Sequence, residues 1–239
     1  PLRSDPDPVK GLSDDGKWYV EQKAAGRATV VNIGRDGGTG LRLHTEPGDA
    51  NVAGTDSNER NDVALQNTEG VQGSEQWWAH SILFPGDFVI PTSPGEFATV
   101  FDFHHTGTEA GRANFHVLVS PGGQITLRGH TGPSVVHSED GNQYSYGAAL
   151  GPVVRNVWYD FVYHVKWSEN SDGFFRAWVN GVKKIDHQGS TLYQGLDVYL
   201  KLANYHSPFG QSSSVIHDRL IRGTTAQAVS LTPLEGVTP

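Results

Sequence analysis

An all-β fold, two antiparallel sheets packed face to face as a jelly roll, is what this chain of 239 residues predicts, and three observations predict it. Short segments rich in β-branched and aromatic residues recur along it, each closed by a turn signal such as Asp36-Gly37-Gly38, Pro121-Gly122-Gly123 or Asn180-Gly181. The 29 glycines and 13 prolines are spread along the chain, as many short strands joined by turns require. No long stretch repeats its apolar residues every three to four positions, so no amphipathic helix competes.

Residues 1–16 are polar and rich in Pro and Asp, and read as an extended arm. Residues 17–239 then form one β domain, within the roughly 200–250 residues common for sandwiches and barrels. Strands are expected at 18–20, 28–31, 41–43, 63–65, 77–84, 98–105, 114–119, 124–128, 157–167, 174–179, 198–205 and 215–221. Residues 129–150 carry little periodicity and read as a long loop, of the kind that is usually functional or mobile. The chain opens Pro1-Leu2-Arg3 without Met, and a segment upstream is expected to have been removed.

Composition narrows the partners. There is no cysteine, so neither disulfides nor thiolate chemistry enters. No apolar run approaches the roughly 20 residues that span a bilayer, so no membrane partner is expected. The formal net charge is −8, and no cluster of Lys and Arg exceeds two adjacent residues. Nucleic acid binding needs a basic footprint and is excluded as an expectation. The same reasoning disfavours a very highly sulfated polymer.

Strand alternation sorts side chains into two faces. In 97–107, Phe101 and Phe103 share one face, while Asp102 and His104 share the other and form a candidate proton-transfer pair. With the bulkier apolar set turned inward elsewhere, the opposite face gathers Arg60, Asp62, Asn114, His116, Arg128, Tyr199, Lys201 and Tyr205. Segment 77–84 is bulky on both faces, and His80 with Trp78 is assigned to the polar side. His105 turns toward the phenylalanines.

Several segments together resemble the polysaccharide lyase family that includes heparin lyase I-like and glucuronan lyase-like enzymes. Glu59-Arg60-Asn61-Asp62-Val63 is similar to the family's Arg-x-Glu-hydrophobic segment. The run from Trp77-Trp78-Ala79-His80 to Pro85-Gly86-Asp87-Phe88 is similar to its aromatic strand followed by Pro-x-Asp-Phe. Phe101-Asp102-Phe103-His104 matches a Gln-aromatic-His strand, with Asp102 where the family has an amide. Trp158-Tyr159-Asp160-Phe161-Val162-Tyr163-His164-Val165-Lys166-Trp167, running on to Trp178-Val179-Asn180-Gly181, is the closest block. Tyr199-Leu200-Lys201-Leu202-Ala203-Asn204-Tyr205 resembles Tyr-x-Lys-x-Gly-x-Tyr.

The resemblance implies a concanavalin-like jelly roll whose groove binds an acidic polysaccharide and cleaves it by β-elimination. It implies no required cofactor, with a structural calcium in some members. Carried over by position, Arg60 binds substrate at the reacting centre, and His104 and Tyr205 are catalytic. Asp102, Lys201, Arg128, His80, Asn114 and His116 are expected to contact the substrate. A secreted monomer acting on a glucuronan-like polymer follows. An ionised Asp102 would repel a substrate carboxylate, which an amide would not. That departure motivates an alternative, a carbohydrate-binding domain without catalysis. A glycoside hydrolase needs two carboxylates at a suitable separation, and no strand has Glu-x-Asp-x-x-Glu spacing. His164 is expected to be structural, and Asp172 to sit in a hairpin turn rather than a calcium loop.

Overall fold

The computed structural model describes residues 10–13, 15–50, 58–66, 70–137, 140 and 143–238. Two antiparallel sheets form a sandwich. The first has eight strands in the order β1 (Lys10–Leu12), β2 (Trp18–Glu21), β5 (Glu59–Leu65), β14 (Val198–His206), β7 (Ala98–His105), β8 (Phe115–Ser120), β9 (Gln124–Gly129) and β10 (Tyr146–Pro152). The second has seven, in the order β13 (Val182–Gln188), β12 (Phe174–Val179), β11 (Trp158–Lys166), β6 (Glu75–Leu83), β15 (Ser213–Gly223), β4 (Gly40–Thr45) and β3 (Ala28–Val31). Order along each sheet departs from order along the chain, so long-range pairing holds both together.

The interior between the sheets is aromatic. Phe101, Phe103 and Phe115 from the first sheet meet Phe161, Tyr163, Trp167 and Phe175 from the second side, all fully buried. Phe115 stacks on Phe175 at 4.4 Å, and Phe103 meets Trp167 edge-on at 5.2 Å. Such pairs add about 0.5–1.5 kcal/mol each beyond their area burial. A polar cluster ties the sheets elsewhere. Asn61 of β5 donates to the carbonyls of Arg27 and His44 at 2.6 and 3.0 Å. Asn204 of β14 donates to the carbonyls of Leu43 and Ser213 and to Thr45 Oγ1 at 3.2, 3.0 and 3.3 Å.

A second, smaller apolar cluster covers the far face of the second sheet. The short helix α1 (Ala226–Val229) is capped by Thr225, whose hydroxyl accepts from the Ala228 amide at 3.3 Å. Ala226, Val229 and Leu234 then pack on Ala79, Val162 and Trp178. Among the described residues no helix is long and apolar enough to cross a membrane.

Four expectations change. His80 does not belong to a polar face: it is 1% exposed and stacked on Phe101 at 4.0 Å and Phe161 at 4.9 Å. Trp78 is buried with it, against Phe103. The other face of β6 carries Trp77 and Ala79, which the C-terminal segment covers, so bulk on both sides gave alternation no polar side to find. The supposed arm contributes β1, paired to β2, although residues 1–9 lie outside the described residues. The supposed loop 129–150 ends in β10, an edge strand paired with β9. Strand β13 was not anticipated: only Ile185 is buried in Lys183-Lys184-Ile185-Asp186-His187, and an edge strand needs no apolar alternation.

Burial pushes the His80 imidazole well below its ordinary range, with buried His217 adding to the effect. The unfolded chain binds a proton there near pH 6.5 and the folded chain does not, so stability falls as pH drops below that value. His80→Phe is therefore expected to lower the midpoint of acid unfolding followed by circular dichroism; an unchanged or higher midpoint contradicts this. Asn204→Ala withdraws the donor from three buried oxygens and is expected to cost about 1–3 kcal/mol in denaturant unfolding.

Candidate active site

Register brings the sequence's scattered polar residues onto the outer face of the first sheet. Across the strands, Tyr19 of β2 lies opposite Ala64 of β5, which lies opposite Lys201 of β14. Lys201 lies opposite Asp102 of β7, then His116 of β8, then Arg128 of β9. One row along, Glu21 faces Asp62. Arg60 faces Tyr205, and His104 faces Tyr199. A cleft of about 330 Å³ opens here, lined by Tyr19, Glu21, Arg60, Asp62, Tyr199 and Lys201 among others.

The centre is an ion network. Lys201 Nζ sits 3.8 Å from Asp62 and 3.9 Å from Asp102. Arg60 reaches Asp62 at 3.5 Å and Glu21 at 3.7 Å, and its guanidinium lies 4.3 Å from the centre of the Tyr205 ring. Burial disfavours the charge of Lys201, but Asp102 and Asp62 outweigh it and push its pKa up. Arg60 is held charged in the same way: burial opposes the charge, while Asp62, Tyr205 and Glu21 favour it. Asp102, 6% exposed, is raised to about 6 by burial, with Lys201 opposing and Asp62 adding to the rise. Its Oδ1 has no protein hydrogen-bond partner.

The His104 ring is fixed by one backbone contact. Its Nδ1 lies 3.1 Å from the His105 carbonyl, which can only accept, so Nδ1 carries the proton and Nε2 keeps its lone pair. Burial first, then Lys201 and His105, hold its pKa well below the ordinary range, so the ring stays neutral. Its ring is 5.5 Å from that of Tyr199, whose hydroxyl pKa is raised by burial despite Lys201. His105 turns to the other side, buried against Tyr193.

Tyr205 shares this face but is not brought to His104. It lies opposite Thr99 of β7, whereas His104 lies opposite Tyr199. Six residues of strand separate the two tyrosines, roughly 20 Å at the usual rise. Tyr205 instead accepts a hydrogen bond from Asn58 Nδ2 at 3.0 Å and packs on Phe97 at 5.2 Å. The tyrosine beside His104 is Tyr199. Alternation placed it on the correct face, but its partner depends on register between β7 and β14, which a single sequence does not display.

The remaining expected residues divide. Arg128 is half-buried over Tyr144 at 5.6 Å, and its Nη2 is 3.5 Å from Ser120 Oγ. His116 sits on the same row, kept neutral by burial, by His130 and by Arg128. Asn114 is a correction: it is fully buried and donates to the Thr191 carbonyl at 3.1 Å, so it holds a loop and cannot meet a ligand. His80 is excluded by its place in the core. His164 pairs with Glu75 at 2.7 Å and stacks on Trp77, away from this cleft. Among the described residues no group of three or more His, Asp or Glu is placed to hold a metal. The Asp172 carboxylate is taken up by Lys166 and Ser168, both at 2.7 Å.

Comparison with known proteins bears on the fold and the family. The chain shares its fold with an endo-β-1,4-glucuronan lyase from the fungus Trichoderma reesei at a TM-score of 0.72 and 18% identity, over 95% of this chain and 96% of that one. A variant of alginate lyase Aly36B bound to an alginate trisaccharide aligns at a TM-score of 0.58 and 14% identity, over 86% and 88%. A GH131 β-glucanase catalytic domain from Podospora anserina aligns at 0.57 and 10% identity, over 95% and 85%. These likenesses establish the fold, which lyases and a hydrolase share. No curated protein sequence matches the chain. The polysaccharide lyase family model matches residues 12–220, nearly the whole of the two sheets and the cleft between Arg60 and Lys201, and the chain belongs to that family of enzymes.

Proposed function

We propose that this lyase cleaves a uronate-containing polysaccharide, glucuronan-like in its linkage, by β-elimination in the cleft of the first sheet. The observation that carries the reading is His104: a neutral imidazole whose Nε2 keeps its lone pair, with its ring 5.5 Å from that of Tyr199 and under the influence of the Lys201 charge.

Elimination removes the proton on the carbon bearing the carboxyl group and expels the oxygen on the neighbouring carbon. Negative charge builds on the carboxylate side during removal, so a fixed cation lowers the barrier. Lys201 and Arg60 supply that charge, and Arg60 has the geometry to grip a carboxylate with two hydrogen bonds. His104 Nε2 takes the proton, and the Tyr199 hydroxyl protonates the departing oxygen. The proton transferred to His104 and the one lost by Tyr199 balance, and exchange between these neighbouring groups or with water resets both. Arg128, further along the row, suits the carboxylate of an adjacent sugar. The glucuronan lyase and alginate lyase that share the fold act on acidic polymers, which favours a uronate over a neutral glucan. A polymer of this kind lies outside the cell, so the enzyme is a secreted one.

A second assignment rests on a different contact. Tyr205 packs under Arg60, so a carboxylate held by Arg60 would bring its sugar to the Tyr205 hydroxyl. A tyrosine there would serve both proton transfers. The His104 centre is preferred because it holds a base, a hydroxyl and a cation together.

Incubation with glucuronan, alginate and neutral β-glucan is expected to produce ultraviolet-absorbing unsaturated ends from a uronate polymer and none from the glucan. Binding without cleavage would support a carbohydrate-binding domain instead. His104→Ala and Tyr199→Phe are each expected to lower kcat by at least about a hundredfold, the range for loss of a general acid or base. Loss of turnover in Tyr205→Phe with near-normal rates in His104→Ala would transfer the chemistry to the Arg60 centre.

A further inference from the structure

The cleft holds more negative than positive charge before any substrate enters. Two cations, Arg60 and Lys201, are shared among three carboxylates, Glu21, Asp62 and Asp102. The groups facing Asp102 are Lys201 and Tyr199 from β14, His116 from β8, Asp62 and Arg60 from β5, and Glu21 from β2 beyond them. His104 is on its own strand, and Arg128 of β9 lies past His116. Both histidines are kept neutral. A uronate carboxylate added to this set would be a fourth anion competing for two cations, in a site where Asp62 and Asp102 are almost wholly buried.

Lys201 is also loosely held. Its two carboxylate contacts, at 3.8 and 3.9 Å, exceed the 2.7–2.9 Å of a charged hydrogen bond. Asp102 contributes one of those contacts through Oδ2, while Oδ1 is buried without a protein partner. The ion-pair contacts of Arg60 go to Asp62 and Glu21, and the cation in contact with Asp102 is Lys201, which Asp102 shares with Asp62.

Resting on the lyase reading above, we propose that Asp102 takes up a proton from solvent as the substrate carboxylate enters, releasing Lys201 to pair with the sugar. Asp102 is then a positioning residue that acts through Lys201, and the proton leaves when product departs. Burial already raises the Asp102 carboxyl to about 6, which leans this way. At neutral pH the uptake is a cost to binding, and it grows as pH rises. The cleft thereby favours substrate in mildly acidic surroundings.

The test is the pH profile of kcat/KM for glucuronan, read as unsaturated product. The wild-type value is expected to fall toward tenfold per unit above about pH 6, with most of the loss in KM, reaching roughly a hundredfold by about pH 8. Asp102→Asn presents the uncharged form permanently, so its profile is expected to lack that limb and to exceed wild type by roughly tenfold or more at about pH 8. Asp102→Gln, the longer amide, should behave the same way if Asn packs poorly. A wild-type profile with no alkaline limb in KM overturns the proposal without any variant. An alkaline limb retained in both folded amide variants overturns it too and moves the titration to another group. Absence of lyase activity on every uronate polymer at every pH would instead contradict the lyase reading, and this inference with it.

Discussion

Strand β14 is paired on both sides, to β5 and to β7, and its two-residue alternation is the constraint from which the site follows. Val198, Leu200 and Leu202 anchor it in the aromatic interior, and Asn204 and His206 anchor its other end to the second sheet. Because those five cannot turn outward without exposing apolar surface or orphaning buried hydrogen bonds, Tyr199, Lys201 and Tyr205 have no choice but to face outward from the first sheet. Each neighbour strand then presents its own outward residues at fixed register: Arg60 and Asp62 from one side, Asp102 and His104 from the other. A slip of one residue would turn the whole set into the core.

Charge in the cleft is balanced against burial. Burial opposes the charges of Lys201 and Arg60, and the carboxylates beside them favour those charges. Those same carboxylates oppose an anionic ligand. The arrangement therefore differs from a plain basic groove, consistent with a protein of net charge −8 that has no basic patch in its sequence. Buried ion pairs of this kind are costly to leave half-made, so a ligand that displaces one partner must bring a replacement or a proton. His104 escapes the balance by staying neutral, which is the state a base requires.

The sheet-forming segments and most outward residues were legible because alternation is local. Arg60, Asp102, His104, His116, Arg128, Lys201 and Tyr205 were all placed on one face from their own strands alone. Alternation failed where it had nothing polar to sort, as at Trp77, Trp78, Ala79 and His80, whose two faces are both covered. Edge strands β1, β10 and β13 were missed because half-exposed strands need little apolar content. Asn114 was on the expected face by parity, yet the segment around Thr191 covers it, a contact made by distant chain. The proximity of Tyr199 rather than Tyr205 to His104 depends on inter-strand register, which pairs residues almost a hundred positions apart.

The fold is shared by lyases and by a β-glucanase, so the chemistry itself is what most needs testing. Mass spectrometry of oligomers released from glucuronan in isotopically heavy water distinguishes the two reactions directly. Elimination adds no water across the broken bond, so the account predicts an unsaturated sugar at the new non-reducing end and no heavy oxygen fixed by the cut. Fragments that have gained one water at each cleavage, with heavy oxygen incorporated, would contradict it.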